Sequence, residues 1–449
     1  MNNIVRLQES KLTNALASKG GREVILVQGA RQVGKTTMVE RVLQSVETVY
    51  ALNLERDLDA LRSIDRTESF DDFTRFIQAH FRAPQFDRPG HVLFIDEAQE
   101  SERLGRYVRF MKEEWQHTRV ILSGSSMSRI FRAETRVPVG RFRPWLVTPL
   151  VFEEFLSASQ HTHLKEIYDA FCQDPKPGLV TGAVHEAFLK ALDEYLMVGG
   201  LPAVVTTHHS GGDYRALRRS LYDAQEDDFV RNSTLSDRGL FAHGLRGVAN
   251  FLGMPSKYSH VHESKSTAEK VLAAQAAWNL IIEIEQKGMS STTQHLPKRY
   301  LYDIGMAQDL RDMPFPRLSL VSTKNPALRT QLGGLFENVL LLNLLSDQAR
   351  LGDVSGWRKG GSDGAEVDFI WRQGDRTIAL ECKASRKISL KHWSGLRAYL
   401  EATVDAGSQS TGMLISAAPF EVVRSKQGTL INLPLYLASG ANIRRCESM

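Results

Sequence analysis

Short apolar runs alternate with segments of helical period over the first 150 residues. Val24–Gln28, Thr48–Leu54, Val92–Ile95, Arg119–Ser123 and Trp145–Thr148 read as strands, with helical stretches Thr36–Ser45 and Phe70–Phe81 between them. Strands this short, alternating with helices, imply a parallel sheet covered on both faces. After Pro149 the pattern turns helical, as in Glu186–Leu196 and Arg215–Ala224, with a break at Gly199–Pro202. Thr267–Ile284 reads as a helix, followed by a turn at Gly288 and an extended Arg299–Asp303, which suggests a small helix-turn-helix unit with a wing. Residues 312–330 are proline-rich and read as a linker. A second α/β unit follows: helix Leu335–Ser346, strands Val367–Trp371 and Thr377–Cys382 around a Gly374-Asp375 turn, helix Trp393–Ala402 and strand Thr411–Ser416. The expected class is α/β and multidomain, with units at 1–150, 151–311 and 331–449.

Composition adds bounds. The 449 residues suit several domains, and 42% apolar with 24% charged residues is ordinary for globular chains. No apolar run is long enough for a membrane helix, and the N-terminus lacks a secretory pattern. Cys172, Cys382 and Cys446 form neither a disulfide framework nor a zinc pattern, so a cytoplasmic location is expected. The net charge of +4 is small but segregated. Residues 51–100 hold 6 basic and 11 acidic residues, residues 101–150 hold 10 and 4, and residues 351–400 hold 9 and 6.

Gly29-Ala30-Arg31-Gln32-Val33-Gly34-Lys35-Thr36 fits G-x-x-x-x-G-K-[ST] and lies between an apolar strand and a helix. Glycines let backbone N–H groups curl around a phosphate, and the following helix points its positive end at it. Lys35 is placed to reach the β/γ-phosphates and Thr36 to ligate Mg²⁺, with Thr37 beside it. The run Val92–Ile95 ends in Asp96 and Glu97: the first suits Mg²⁺, the second the polarisation of an attacking water. Ser123, Ser125 and Ser126, at the end of the fourth strand, are competing candidates for contact with the γ-phosphate or the attacking water. Among the arginines beyond it, Arg141 and then Arg136 are the candidates for a finger stabilising transition-state charge, supplied from a neighbouring subunit.

The order GARQVGKTT, VLFIDEAQ, ILSGSS, VGRF and TPLVFEEFL resembles a large family of prokaryotic AAA+ ATPases, and EYLMVGGLPAVV and RYLYDIGMAQDL resemble its downstream region. The resemblance implies ATP and Mg²⁺, with Lys35 and Thr36 on the nucleotide, Asp96 on the metal and Glu97 in hydrolysis. A homo-oligomer is an accompanying expectation.

The resemblance also implies a restriction-endonuclease-like C-terminal unit with metal-binding carboxylates at Glu337, Asp368 and Glu381, and Lys383 acting on the nucleophilic water. E-x-K occurs four times in the chain, but only Glu381-Cys382-Lys383 follows an apolar strand with an acid-bearing strand upstream. On such a strand Glu381 and Lys383 share a face, as do Glu366 and Asp368. The nearby Arg358, Lys359, Arg372, Arg386, Lys387 and Lys391 suit DNA phosphates. Two readings remain open: a DNA-cleaving effector, or a nucleotide-dependent DNA- or protein-binding switch with an inactive nuclease-like unit. His208-His209 and His260/His262 lack a third ligand at suitable spacing and read as solvent-exposed histidines.

Overall fold

The computed structural model describes residues 4–18, 23–125, 130–131, 140–159, 161–232, 237–288, 295–311, 316–318, 326–347, 350–360, 364–404, 409–425 and 428–448. Two compact units result. Arg6–Thr148 with Ala277–Asn279 makes one, and Pro149–Ala276 with Leu280–Met449 makes the other.

The N-terminal unit holds a five-stranded parallel sheet: β1 (Val24–Gln28), β2 (Thr48–Asn53), β3 (His91–Asp96), β4 (Arg119–Gly124) and β5 (Phe142–Leu146), in the order β2-β3-β4-β1-β5. Apolar side chains fill the centres of β1, β3 and β4 because both faces of the sheet are covered. Their core includes Leu26, Leu93, Ile95 and Leu122, joined on one face by Phe73, Tyr107 and Trp115. The helices are α1 (Leu7–Ala17), α2 (Lys35–Leu43), α3 (Leu58–Arg66), α4 (Phe70–His80) and α5 (Leu104–Glu114). Helix α4 begins where Ser69 and Asp72 cap each other's backbone N–H groups. All five strands run the same way, so the ends of β1, β3 and β4 converge on one edge. Ligands bind at that edge in open α/β sheets.

The second unit begins with helices, from Phe152–Ala158 to Arg238–Asn250. Helix Lys265–Ala277 is followed by β6 (Ile281–Ile284), which pairs antiparallel with β8 (Lys298–Leu301). The sequence pattern predicted one helix through Ile284. Instead Asn279 takes a left-handed conformation (φ 56°) and the β-branched Ile281-Ile282 continues as a strand. The next sheet has seven strands, in the order β13-β14-β12-β11-β10-β9-β7. These are β7 (Gln286–Lys287), β9 (Val354–Arg358), β10 (Glu366–Gln373), β11 (Arg376–Lys383), β12 (Gln409–Ser416), β13 (Glu421–Ser425) and β14 (Gly428–Pro434). Strands β10 and β11 form an antiparallel hairpin turning at Gly374 (φ 61°), while β11 and β12 run parallel with helix Ser394–Val404 between them in the chain. That helix packs Leu396 and Tyr399 into a cluster with Val367, Ala379 and Leu414. Helix Pro326–Ser346 starts inside the predicted linker.

Candidate nucleotide site and carboxylate cluster

The phosphate loop leaves β1 at Gln28. A Cβ on Gly29 would lie 2.3 Å from the Val147 carbonyl oxygen, so only glycine fits, and Gly34 turns the chain into α2 with φ 88°. The loop has a brace that the motif does not reveal. Buried Arg6 donates to the Val33 carbonyl at 2.8 Å and to the Thr148 carbonyl at 2.6 Å, tying the loop to the end of β5. Nothing in the Arg6 neighbourhood of the sequence signals that role.

Lys35 is 6% exposed, and its Nζ donates to the carbonyls of Gly29 at 3.0 Å and Ala30 at 2.9 Å. Burial pulls its ammonium down to about 8, against the opposing pull of Glu97 and Asp96. Asp96 is the hub. Its Oδ2 accepts from Thr36 Oγ1 at 2.9 Å and from Asn53 Nδ2 at 3.0 Å, and its Oδ1 accepts from Ser123 Oγ. Thr36 hydroxyl and Asp96 carboxylate oxygens, so close together, fit the hard-oxygen preference of Mg²⁺.

Glu97 sits one residue past β3 in a left-handed conformation (φ 52°), unusual for a residue with a side chain. Gln99, fully buried, donates its Nε2 to Glu97 Oε2. A Cβ at Gly124 would lie 2.3 Å from Gln99 Oε1, so β4 makes room for this amide. Burial pushes the Glu97 carboxyl up, while the Gln99 hydrogen bond and Lys35 oppose it. Asn53 and Gln99 are additions to the residues singled out from sequence; Gln99 was legible as part of Asp96-Glu97-Ala98-Gln99 but carried no assigned role. A cavity of about 880 Å³ opens beside Gln32, Thr36, Thr37, Asp96 and Glu97.

Of the serines, Ser123 engages Asp96, whereas the Ser125 Oγ is buried with no hydrogen-bond partner among the described residues. Ser126 and Arg136 lie outside the described residues. Arg141 precedes β5, and its carbonyl accepts from Val24 N at the start of β1. It therefore stands at the end of the sheet opposite the phosphate loop, where its guanidinium meets Glu113 at 3.3 Å. It cannot serve its own domain's loop.

In the second unit Glu337, Asp368 and Glu381 converge. Glu337 comes from helix Pro326–Ser346, Asp368 from β10 and Glu381 from β11. The cluster has a member that sequence reading did not select. Lys298 on β8, 1% exposed, places Nζ 2.8 Å from Asp368 Oδ1, 3.1 Å from Glu337 Oε2 and 2.6 Å from Glu366 Oε1. Tyr300 donates to Glu337 Oε2 at 2.7 Å, Cys382 N donates to Asp368 Oδ2 at 2.8 Å, and Lys383 pairs with Glu381 Oε1. Burial works against the Lys298 charge, but Asp368 and Glu337 hold its ammonium well above the usual range. Burial and the Asp368 charge raise Glu337 to about 7 and Glu381 to about 8. Burial also opposes ionisation of Asp368, yet Lys298 and Lys383 keep it below the usual range.

The donors are those of a metal centre, but Lys298 stands between Glu337 and Asp368. A divalent cation cannot take Asp368 and Glu337 together without expelling that ammonium group. As arranged, the Glu337–Asp368 side of the cluster is closed to a metal ion by Lys298, while Glu381 pairs with Lys383 and keeps Oε2 without a hydrogen-bond partner among the described residues.

Residues 21–156 match the AAA domain family, while residues 189–317 and 332–436 match two domains of unknown function, DUF8612 and DUF4143. No curated protein matches the chain. Solved structures that it resembles include Aeropyrum pernix ORC1 in complex with DNA, at 12% identity over 67% of this chain and 89% of that chain with a TM-score of 0.28. Cdc6p from Pyrobaculum aerophilum is 13% identical over 65% and 88%, with a TM-score of 0.25. Drosophila ORC bound to DNA is 10% identical over 62% and 88%, with a TM-score of 0.26. With its phosphate loop and its parallel sheet, the N-terminal unit is similar to the AAA domain family over residues 21–156.

Proposed function

We propose that the chain is an ATP-hydrolysing switch whose C-terminal unit binds DNA without cutting it. The observation that carries the hydrolytic part is the Asp96 hub beside a Glu97 carboxylate fixed by Gln99. Lys35 would leave the Gly29 and Ala30 carbonyls for the β/γ-phosphates, and the loop N–H groups from Arg31 to Thr37 would cradle them. Thr36 and, through water, Asp96 would hold Mg²⁺, which offsets phosphate charge. Glu97 would orient and polarise the attacking water, and Ser125 is the hydroxyl free to meet that water or the γ-phosphate. Arg141, or Arg136, would act on the nucleotide of a neighbouring copy, which requires a homo-oligomer.

Lys298 supports the non-cutting reading, because it neutralises the carboxylates that a nuclease would leave for metal. The segregated basic residues Arg358, Lys359, Arg372, Arg386, Lys387 and Lys391 support DNA as the partner. One observation favours the cutting alternative: Glu381 Oε2 is buried with no hydrogen-bond partner among the described residues. A plasmid assay with Mg²⁺ or Mn²⁺ separates them. Equal residual cutting by wild type, Glu381→Ala and Lys383→Ala supports the switch; cutting lost in both variants overturns it. Fluorescence anisotropy on labelled duplex DNA, with ATP or ADP present, tests the binding half. No salt-sensitive binding in either state would remove DNA from the proposal.

A further inference from the structure

We infer that Glu194, His208 and His209 form a binding site for a divalent transition-metal ion. The second unit brings them together from separate helices. Helix Gly182–Val198 carries Glu194 near its end, and helix Pro202–His209 terminates on the two histidines. Their ligand atoms lie within 4.8 Å of one another. This is the third ligand that spacing along the chain did not disclose, because Glu194 is 14 residues before His208 and folds back over the Gly199–Gly200 turn.

Glu194 Oε1 lies 2.6 Å from His208 Nε2. The two atoms meet through a hydrogen bond, which a metal ion binding both would replace. His209 supplies the independent observation. Both of its ring nitrogens are buried, and neither has a hydrogen-bond partner among the described residues. Ring nitrogens shut off from water in a half-buried side chain lose hydration, which metal ligation would restore.

The surroundings fix the donors. Phe155 packs 5.2 Å from the His209 ring, and Tyr214 sets its edge 4.9 Å from His208. His161, the residue before helix Thr162–Gln173, places Nε2 3.0 Å from the second Glu194 oxygen. It is a positioning residue, orienting the carboxylate as outer-shell partners do. Helix Pro202–His209 presents its negative end to the site, which favours a cation. Two imidazoles and one carboxylate select Zn²⁺ or Co²⁺ over Mg²⁺.

The test uses the tag-free full chain, stripped with chelator and titrated with Co²⁺ in the absence of nucleotide. One Co²⁺ per chain should bind, give the visible absorption of a low-coordinate site and be displaced by Zn²⁺. Glu194→Gln and His209→Ala should weaken binding at least tenfold, and His161→Ala by about 10–100-fold. Asp368→Asn should leave Co²⁺ uptake unchanged, which keeps the carboxylate cluster out of the result. Zn²⁺ should raise the thermal midpoint of wild type and leave that of His209→Ala unmoved. Absence of stoichiometric Co²⁺ uptake by wild type overturns the inference. So does wild-type affinity in Glu194→Gln and His209→Ala chains that retain the wild-type circular dichroism.

Discussion

A lysine pulled down to about 8 by burial is half neutral at that pH. Phosphates beside Lys35 would restore its charge, so nucleotide binding should take up a proton. Affinity for ATP should therefore be flat well below pH 8 and fall as pH rises through and above it. Calorimetry at pH 8.5 in two buffers of different ionisation enthalpy reads the uptake directly, and a binding heat that does not vary with the buffer would contradict it. Gln99 gives a second residue-scale prediction. Gln99→Ala removes the hydrogen bond to the Glu97 carboxylate, on a residue whose backbone is left-handed. ATP binding should stay within about twofold while kcat falls by roughly 10–100-fold, less than the roughly 100–10,000-fold that a positioned base contributes. Equal losses in KM and kcat would give Gln99 a different role. At this scale Lys35, Thr36, Asp96 and Glu97 were legible because motif spacing fixes them locally. Arg6, Asn53 and Lys298 were not, since each acts through a partner that only the fold brings near. Long-range pairs such as Arg6 with Thr148 leave no periodic trace in the chain.

Elements come next. The strands of the first sheet were legible because burial on both faces makes them continuous apolar runs. Strand β9, Val354-Ser355-Gly356-Trp357-Arg358, has no such run and escapes that logic, although its backbone pairs with β10. The helix predicted over Thr267–Ile284 merged a helix with a strand, because Ala-rich periodicity up to Ala277 masks the turn at Asn279. The β1–α2 turn yields a prediction of its own. Gly29→Ala would press a Cβ against the Val147 carbonyl, 2.3 Å away, where backbone on both sides resists movement. The variant should lose about 1–3 kcal/mol, read as a lower urea midpoint at unchanged m-value, and bind ATP weakly. Wild-type affinity would mean that the loop has slack the close contact denies.

For the whole molecule, Lys298 joins a strand, a helix and the seven-stranded sheet of the second unit in one charged network. Removing one partner of a buried ion pair costs about 3–5 kcal/mol, so Lys298→Met should destabilise the chain by that order at pH 8. Glu337 at about 7 and Glu381 at about 8 lie above the ordinary carboxyl value of 4.5. Between those limits the folded chain holds more protons on this pair than the unfolded chain. Its contribution to stability is therefore fullest below about pH 4.5 and is lost as pH rises to 8. Glu337→Gln/Glu381→Gln should flatten that part of a urea-midpoint profile; an unchanged slope would separate these carboxyls from the pH dependence. The three carboxylates were expected from the family resemblance, yet their chemistry was not, because the lysine that answers them opens β8, one residue before the segment read as extended.

The central claim is hydrolysis at the Asp96 hub, and single-turnover phosphate release with Mg²⁺ and radiolabelled ATP tests it most directly. Wild type should release phosphate. Lys35→Ala should fail to bind ATP, and Glu97→Gln should bind it but release phosphate at least about 100-fold more slowly. Phosphate release at the wild-type rate by both variants would contradict the account.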